Sequence, residues 1–394
     1  MQIYIGATYA NPRKSKKESI ALLWIFGFKS GRFKKMNEMN NKVKVAVAVS
    51  GGVDSAVAAG LLENGGFEVA GIFGRFLDDK CVLKSNFNTN FNAKKEDEKR
   101  AKAVCEKLGI PFLAVDLRAE FKKRIVDGFI ADTKKGLTPN PCVLCNEEIK
   151  FGLLMDAALK SGADFFATGH YCQTKIDKNG IYHLLKGKDK EKDQSYFLWR
   201  LKQKQFKKII FPLGVFEKSE TRDLAKAWGL AIKDNSESQD VCFISGPAAE
   251  FLQRHLGKNL GDIVDTETQK IIGRHDGLWF YTIGQRKGIG LAGGPFYVAG
   301  KNFAKNELAV SKKMPAAKIV KLRSVNWIAG GVPNLPIKVK AKIRYRSKDA
   351  PAILDKSGKN YSLQFAKPQF AATPGQSAVF YQKRELLGGG IIKA

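Results

Sequence analysis

The chain has 394 residues, of which 44% are apolar and 27% charged, and its formal net charge is +29. That length exceeds one ordinary hydrophobic core and predicts two or three domains, while the apolar fraction excludes a disordered chain. So large an excess of Lys and Arg favours a polyanionic partner, nucleic acid first, because a basic surface gains affinity by releasing counterions from phosphates. Six cysteines (Cys81, Cys105, Cys142, Cys145, Cys172 and Cys242) are spread without a disulfide framework, which fits a reducing, cytoplasmic setting.

Residues 20–28 (IALLWIFGF) are apolar with basic flanks. They are too short to span a bilayer and lack a small-residue cleavage pattern, so no membrane association is expected. Residues 1–41 read as a disordered extension ahead of the first strand.

Residues 43–49 (VKVAVAV) form a compact β-branched run, the pattern of a buried parallel strand. Ser50-Gly51-Gly52 follows, then a helix over 54–64 and a second strand over 67–73. Helical spacing runs from 93 to 108 and is stopped by Gly109-Ile110-Pro111. A third strand covers 112–115 and another helix 119–134. Beyond Thr138-Pro139-Asn140-Pro141 the pattern predicts a helix over 146–160 and a strand over 164–168. Asp177-Lys178-Asn179-Gly180 is a hairpin turn between strands at 171–176 and 181–185. A helical pattern resumes over 218–229.

From Gly246 onward glycines are dense, as in GQRKGIGLAGG at 284–294, and long helical periodicity fades. From about residue 320 short alternating runs dominate, at 337–343, 361–365, 377–381 and 390–393. There are no internal repeats. The predicted fold is an N-terminal α/β domain, a parallel sheet flanked by helices over 42–245, then a small central domain over 246–314. A C-terminal antiparallel β-barrel over 315–394 completes it.

The strongest motif is Ser50-Gly51-Gly52-Val53-Asp54-Ser55 at a strand-to-helix turn. Glycines let the backbone approach a phosphate, and the N–H groups at the helix start face it. Asp54 is placed to hold Mg²⁺ or to cap the helix. The bland alternative is a glycine-rich turn with an N-cap. No Gly-Lys-Ser/Thr follows, so this is not a Walker A loop. It resembles the SGGxDS loop of the PP-loop ATP pyrophosphatases, which cleave ATP to AMP and pyrophosphate and thereby turn a substrate oxygen into a leaving group.

Three further segments narrow the choice: Thr138-Pro139-Asn140-Pro141-Cys142-Val143-Leu144-Cys145-Asn146, Ser238-Gln239-Asp240-Val241-Cys242-Phe243, and Tyr281-Thr282-Ile283-Gly284-Gln285-Arg286-Lys287-Gly288. Cys145 is expected at a helix start, where the dipole favours thiolate. Together with ATGHY at 167–171, KDQSYFL at 192–198, KIRYR at 342–346 and PGQ at 374–376, these segments resemble the tRNA-specific 2-thiouridylases from about Lys42 to the C-terminus.

The resemblance implies an enzyme that thiolates the wobble uridine of tRNA to 2-thiouridine, with ATP and Mg²⁺, by adenylating the base oxygen. ATP would be held by Ala48, Val49, Ser50, Gly51, Gly52, Val53, Asp54, Ser55, Gly74 and Gly169. Cys242 would carry sulfur as a persulfide and Cys145 would be its partner, resolving it or forming a transient disulfide. Asn140, Pro141 and Cys142 would approach the target base. His170, Lys192, Asp193, Gln194, Arg344, Tyr345 and Gln376 would contact tRNA, with the central domain and barrel gripping it. Sulfur would come from a persulfide carrier or a cysteine desulfurase. Two cysteines distant in sequence but converging on one site suit such chemistry.

Cys142 stands where many family members carry Asp, which puts an Asp-dependent step in question. It also leaves three thiols, Cys142, Cys145 and Cys242, as alternative ligands of an iron–sulfur cluster with an open position. Cys105 reads as a small buried hydrophobe. His183, His255 and His275 are not spaced as metal ligands, and the Trp residues read as core. Two competing classes are a PP-loop ligase for a small molecule, which leaves the paired cysteines and the charge unexplained, and an RNA-binding protein without chemistry, which leaves SGGVDS unexplained.

Overall fold

The structure, a computed structural model, describes residues 42–77, 93–230, 241–244 and 246–393. The extension over 1–41, Cys81 and Ser238-Gln239-Asp240 lie outside the described residues. Among the described residues no helix is long and apolar enough to cross a membrane.

Strand β1 (Lys44–Ala48) lies between β2 (Glu68–Arg75) and β4 (Phe165–Ala167). With β3 (Phe112–Asp116) and β7 (Ile209–Ile210) it makes a parallel sheet in the order β3-β2-β1-β4-β7. The β-branched run at β1 is buried because helices cover both faces of such a sheet. Helix α1 (Val53–Asn64) is buried from Ser55 to Leu62. Helix α2 (Ala93–Leu108) has the boundaries its periodicity predicts.

Helix α3 runs through Arg118–Phe121, a π-helical turn Lys122–Val126, and Asp127–Lys134. Helix α4 runs through Pro141–Leu144, a π-helical stretch Cys145–Leu154, and Met155–Lys160. It therefore starts five residues before the expected Asn146, because Pro141 suits the first helical position, where no N–H is needed. Helix α5 (Lys218–Ala227) follows β7.

The hairpin of β5 (Cys172–Ile176) and β6 (Tyr182–Lys186) forms at the predicted turn, but its partner is distant. β6 pairs with β17 (Glu385–Ile392), so the hairpin extends the C-terminal sheet. That sheet contains β12 (Ala316–Trp327), β13 (Ile337–Lys342), β14 (Ala350–Ser357), β15 (Asn360–Phe370) and β16 (Ser377–Gln382). Pairing of β12 with both β15 and β17 closes the six strands into an antiparallel barrel, as expected. Closure leaves no open edge among them.

Between these parts, β8 (Gly261–Asp265), β9 (Ile271–His275), β10 (Tyr297–Asn302) and β11 (Glu307–Ser311) form a small mixed sheet over a core of Ile263, Val298, Leu308 and Val310. The fading of helical pattern after Gly246 needs one correction: helix α6 (Ala248–Leu256) is present. It buries Phe251 and Leu252 against the first domain, and it is too short for sustained periodicity.

Candidate active site

In an open parallel sheet, ligands bind beyond the carboxyl ends of the strands where the winding reverses. Here that point lies between β1 and β4, and both strand ends open into glycine-containing loops. Val49 still donates its N–H to Ile72 O at 3.0 Å, so the chain leaves the sheet at Ser50. Gly51 has φ +75°, and a Cβ there would lie 2.6 Å from Asp97 O. Glycine is therefore required both by conformation and by the closeness of α2. Ser55 Oγ accepts from Ser50 N and donates to Gly52 O, each at 3.0 Å, which ties the loop into a ring.

No side chain caps α1 at Gly52, so its first-turn N–H groups remain available to an anion. On the other side, a Cβ on Gly169 would lie 2.8 Å from the Asp54 carbonyl carbon. The two loops thus touch. Gly74 is buried near the end of β2, one strand away.

Asp54 does not cap its helix. Lys218 Nζ lies 2.7 and 2.8 Å from its two carboxylate oxygens, and Tyr171 donates its hydroxyl to Oδ1 at 2.7 Å. The Tyr171 hydroxyl also lies 3.0 Å from Thr221 Oγ1. Burial, then the charge of Asp54, pushes the Tyr171 phenol well above its ordinary range and keeps it a donor. Tyr171 closes the ATGHY segment without an expected role, and Lys218 and Thr221 lie in no motif of the sequence. One signal was available: Lys218 opens α5, and a cation at a helix N-terminus opposes the dipole unless an anion compensates it.

The three cysteines beyond the loop come together. Cys142 and Cys145 stand on the first turns of α4, and Cys242 lies near enough that its charge raises the pKa of both. Cys242 is exposed and the next residue anchors it: Phe243 packs on Phe129 at 5.4 Å, Phe251 at 5.7 Å and Phe121 at 6.1 Å between ring centres. The expectation of a low-pKa Cys145 is corrected. The helix starts at Pro141, so Cys145 lies a full turn inside, past the reach of the terminal dipole. It is 8% exposed, and burial pushes its thiol up to about 12, with Lys150 opposing. Burial also raises Cys142. Among the described residues, no three His, Cys, Asp or Glu side chains are arranged to hold a metal ion, so nothing in the geometry favours the cluster alternative. Cys105 is fully buried, as expected.

Residues expected at the RNA surface divide in two. Arg344 is exposed and donates to Phe370 O at 3.2 Å, and Lys192 is half-buried. His170 and Asp193 are turned inward. His170 is packed between Phe151 and Phe211, with Nδ1 2.8 Å from Thr168 Oγ1, and burial holds its imidazole neutral. Asp193 accepts from the N–H groups of Gly187 and Ser195 and from the Ser195 hydroxyl. Gln194 Oε1 accepts from Tyr171 N at 3.1 Å. Tyr345 packs on Phe197 at 4.4 Å, and Gln376 donates to Thr138 O at 2.8 Å. Asn140 and Cys142 are half-buried and Pro141 is buried.

A glycine-rich loop at the switch point of a parallel sheet, with two β-domains appended, defines the architecture of a nucleotide-type α/β enzyme. Family models agree on its parts. One described as "tRNA methyl transferase HUP domain" matches residues 43–246, one described as "tRNA methyl transferase PRC-barrel domain" matches 249–312, and one described as "Aminomethyltransferase beta-barrel domain" matches 317–392. The chain is 44% identical to the tRNA-specific 2-thiouridylase MnmA of Syntrophomonas wolfei, over 89% of this chain and 100% of that one. It is 41% identical to the protein of the same name from Methylobacillus flagellatus, over 89% and 99%. The chain belongs to the tRNA-specific 2-thiouridylase family.

Proposed function

We propose that this protein thiolates a uridine of tRNA at its 2-oxygen, using ATP. The observation that carries the reading is the convergence of Cys142 and Cys145 with Cys242, about a hundred residues later, in a protein whose relatives are named for this reaction. ATP fits the loop over 48–55: Gly51 and Gly52 admit phosphate to the start of α1, and Lys218 supplies a cation there. Mg²⁺ fits as a companion of the phosphates, which supply oxygen ligands. Asp54 is the loop's carboxylate, and it is engaged by Lys218 and Tyr171.

In the proposed sequence the uridine 2-oxygen attacks the α-phosphorus and pyrophosphate leaves. The terminal sulfur of a Cys242 persulfide then attacks the base carbon, and AMP departs with the oxygen. Attack of the Cys145 thiolate on Cys242 Sγ breaks the sulfur–sulfur bond, leaving sulfur on the base and a Cys145–Cys242 disulfide that an external dithiol reduces. The persulfide is supplied by a sulfur carrier or a cysteine desulfurase. The buried Cys145 suits a partner that acts late, and the exposed Cys242 suits the thiol that meets a donor. The basic chain and exposed Arg344 suit a tRNA surface.

The test is to incubate anaerobically purified protein with ATP, Mg²⁺, a sulfur source and unmodified tRNA, and to analyse the digested RNA by mass spectrometry. A 2-thiouridine peak is expected, lost in Cys145→Ser and Cys242→Ser. No thiouridine from the wild type overturns the reading, and activity retained in either variant overturns the thiol roles.

A further inference from the structure

Pro139 and Pro141 fix φ and carry no N–H, so residues 138–142 form a stiff run with few backbone donors. Such a run is aimed from its ends. The far end is the start of α4, and the near end is Thr138. Thr138 is held from outside its own domain. It donates its N–H to Pro374 O at 2.8 Å, and Gln376 Nε2 donates to its carbonyl oxygen at 2.8 Å, so one barrel turn grips a single residue from both sides. The fit is close: Gly375 has φ +92°, and a Cβ there would lie 2.9 Å from Thr138 N. Gln376 is itself tied into the barrel, its carbonyl accepting from Ile392 N at 2.9 Å. The central domain meets the same place. Lys301, near the end of β10, donates to Gly136 O at 3.3 Å, and Thr138 Oγ1 lies 3.5 Å from Thr282 Oγ1. A Cβ on Gly284 would lie 2.3 Å from the Ala371 Cβ, so the two appended domains also press on each other beside it. All three domains therefore converge on residues 136–138, just ahead of Cys142.

We propose that Gln376 is a positioning residue for the thiolation: it acts through Thr138, instead of through a contact with tRNA, and sets the orientation in which residues 138–142 present Cys142. This rests on the proposed function. Because the prolines keep the run stiff, a change of angle at Thr138 is carried on to Cys142 and not absorbed on the way. The ATP loop is held by its own ring through Ser55, so it keeps its shape when the Gln376 amide is lost.

The test uses Gln376→Met and Gln376→Glu, which keep the length of the side chain and lack a donor for the Thr138 carbonyl. Single-turnover 2-thiouridine formation is measured at saturating ATP and tRNA, together with tRNA Kd and KM for ATP. The free proteins are also treated briefly with iodoacetamide, and each cysteine is followed by peptide mass spectrometry. The thiolation rate is expected to fall by about tenfold to a hundredfold, with Kd and KM within about twofold of wild type. Alkylation of the half-buried Cys142 is expected to rise by about threefold to tenfold, the shift in local opening that one lost hydrogen bond produces, while the fully buried Cys105 keeps its rate. An unchanged thiolation rate or an unchanged Cys142 reactivity in both variants overturns the inference. A raised Kd with the saturated rate intact also overturns it, because Gln376 is then a tRNA contact. So does Cys105 rising in step with Cys142, which marks a general loosening of the fold. Failure of the wild type to make 2-thiouridine overturns the functional reading instead, and the alkylation comparison, which needs neither ATP nor tRNA, still tests the junction.

Discussion

Lys218 and Asp54, 164 residues apart, meet as an ion pair at the phosphate loop, with Lys218 Nζ within 2.8 Å of both carboxylate oxygens. Lys218 is buried while the Asp54 side chain is one-third exposed. The pair closes α5 against the start of α1. Lys218→Gln leaves the carboxylate half-satisfied by Tyr171 and removes a cation from the proposed ATP site. The expected cost is about 1–2 kcal/mol of stability, reduced from the fully buried case by the exposure of Asp54. KM for ATP is expected to rise by roughly tenfold or more. Denaturant unfolding and ATP kinetics check the two parts separately, and an unchanged KM removes Lys218 from the nucleotide site.

Gly51→Ala tests the loop from its other side. The added Cβ meets a backbone carbonyl, not the end of a flexible side chain, and the φ of +75° is itself strained for alanine. The expected loss is about 1–3 kcal/mol, with weakened ATP binding as the loop moves off α2. Gly52→Ala is expected to be milder, since a Cβ there meets only Ser50 Oγ, at 3.5 Å. Equal effects on stability from the two substitutions count against the packing explanation.

The contrast between Gly51 and Lys218 shows what was legible in the sequence. Two glycines between a β-branched run and a helix are a local signal, and so is the stop at Gly109 that sets the end of α2. The partner of Lys218, the attachment of β6 to β17 and the burial of Cys145 are all tertiary facts without a local trace. The expectation for Cys145 fails because the helix starts at Pro141, five residues before the Asn146 that the pattern predicts. Strand β12 does not stand out as a run because only Val320 and Leu322 alternate as buried residues, and the next buried one, Trp327, comes five residues later. His170 and Asp193 lie in recognisable motifs, yet their side chains face inward, because a motif fixes which residues recur but not which way they point.

His183 joins the hairpin to the barrel in a way that sets a pH dependence. Its Nδ1 lies 2.7 Å from Glu385 Oε1 and its Nε2 3.3 Å from Asp177 Oδ2. Carboxylates only accept, so both contacts are satisfied only by the doubly protonated ring. Partial burial opposes the charge, but the bonds to Glu385 and Asp177 outweigh it and raise the pKa. A raised folded-state value stabilises the protein fully below the unfolded value of about 6.5, and the gain is lost as pH rises through the folded value. The expected stability gap between wild type and His183→Gln is roughly 0.2–1 kcal/mol at pH 6 and smaller at pH 8.5. A gap that widens with pH contradicts the imidazolium.

Phe243 fixes the exposed Cys242 by burying the neighbouring ring among Phe121, Phe129 and Phe251. Phe243→Ala is expected to cost about 3–4 kcal/mol, the range for losing a buried phenyl ring. Phe243→Leu keeps much of the volume and is expected to cost less than about 1.5 kcal/mol. If the ring's work is to locate the thiol, thiolation falls more steeply than folded fraction in Phe243→Ala, measured at a temperature where the variant stays folded. Activity that tracks folded fraction alone removes Phe243 from the site.

The unequal environments of Cys242 and Cys145 set an order of reactivity. Thiolate, not thiol, attacks an alkylating reagent, and access is needed as well. Cys242 is exposed, whereas Cys145 is buried with its pKa pushed up to about 12. Peptide-resolved mass spectrometry after brief iodoacetamide treatment at pH 8 is expected to find Cys242 modified first and Cys145 at least about tenfold slower. In denaturant both lose their surroundings and are expected to react at similar rates. Lys150→Gln removes the cation that opposes burial at Cys145, so it slows Cys145 further without exposing it. Cys145 reacting as fast as Cys242 in the native protein means that the first turns of α4 open to solvent, and it overturns the burial from which this order follows.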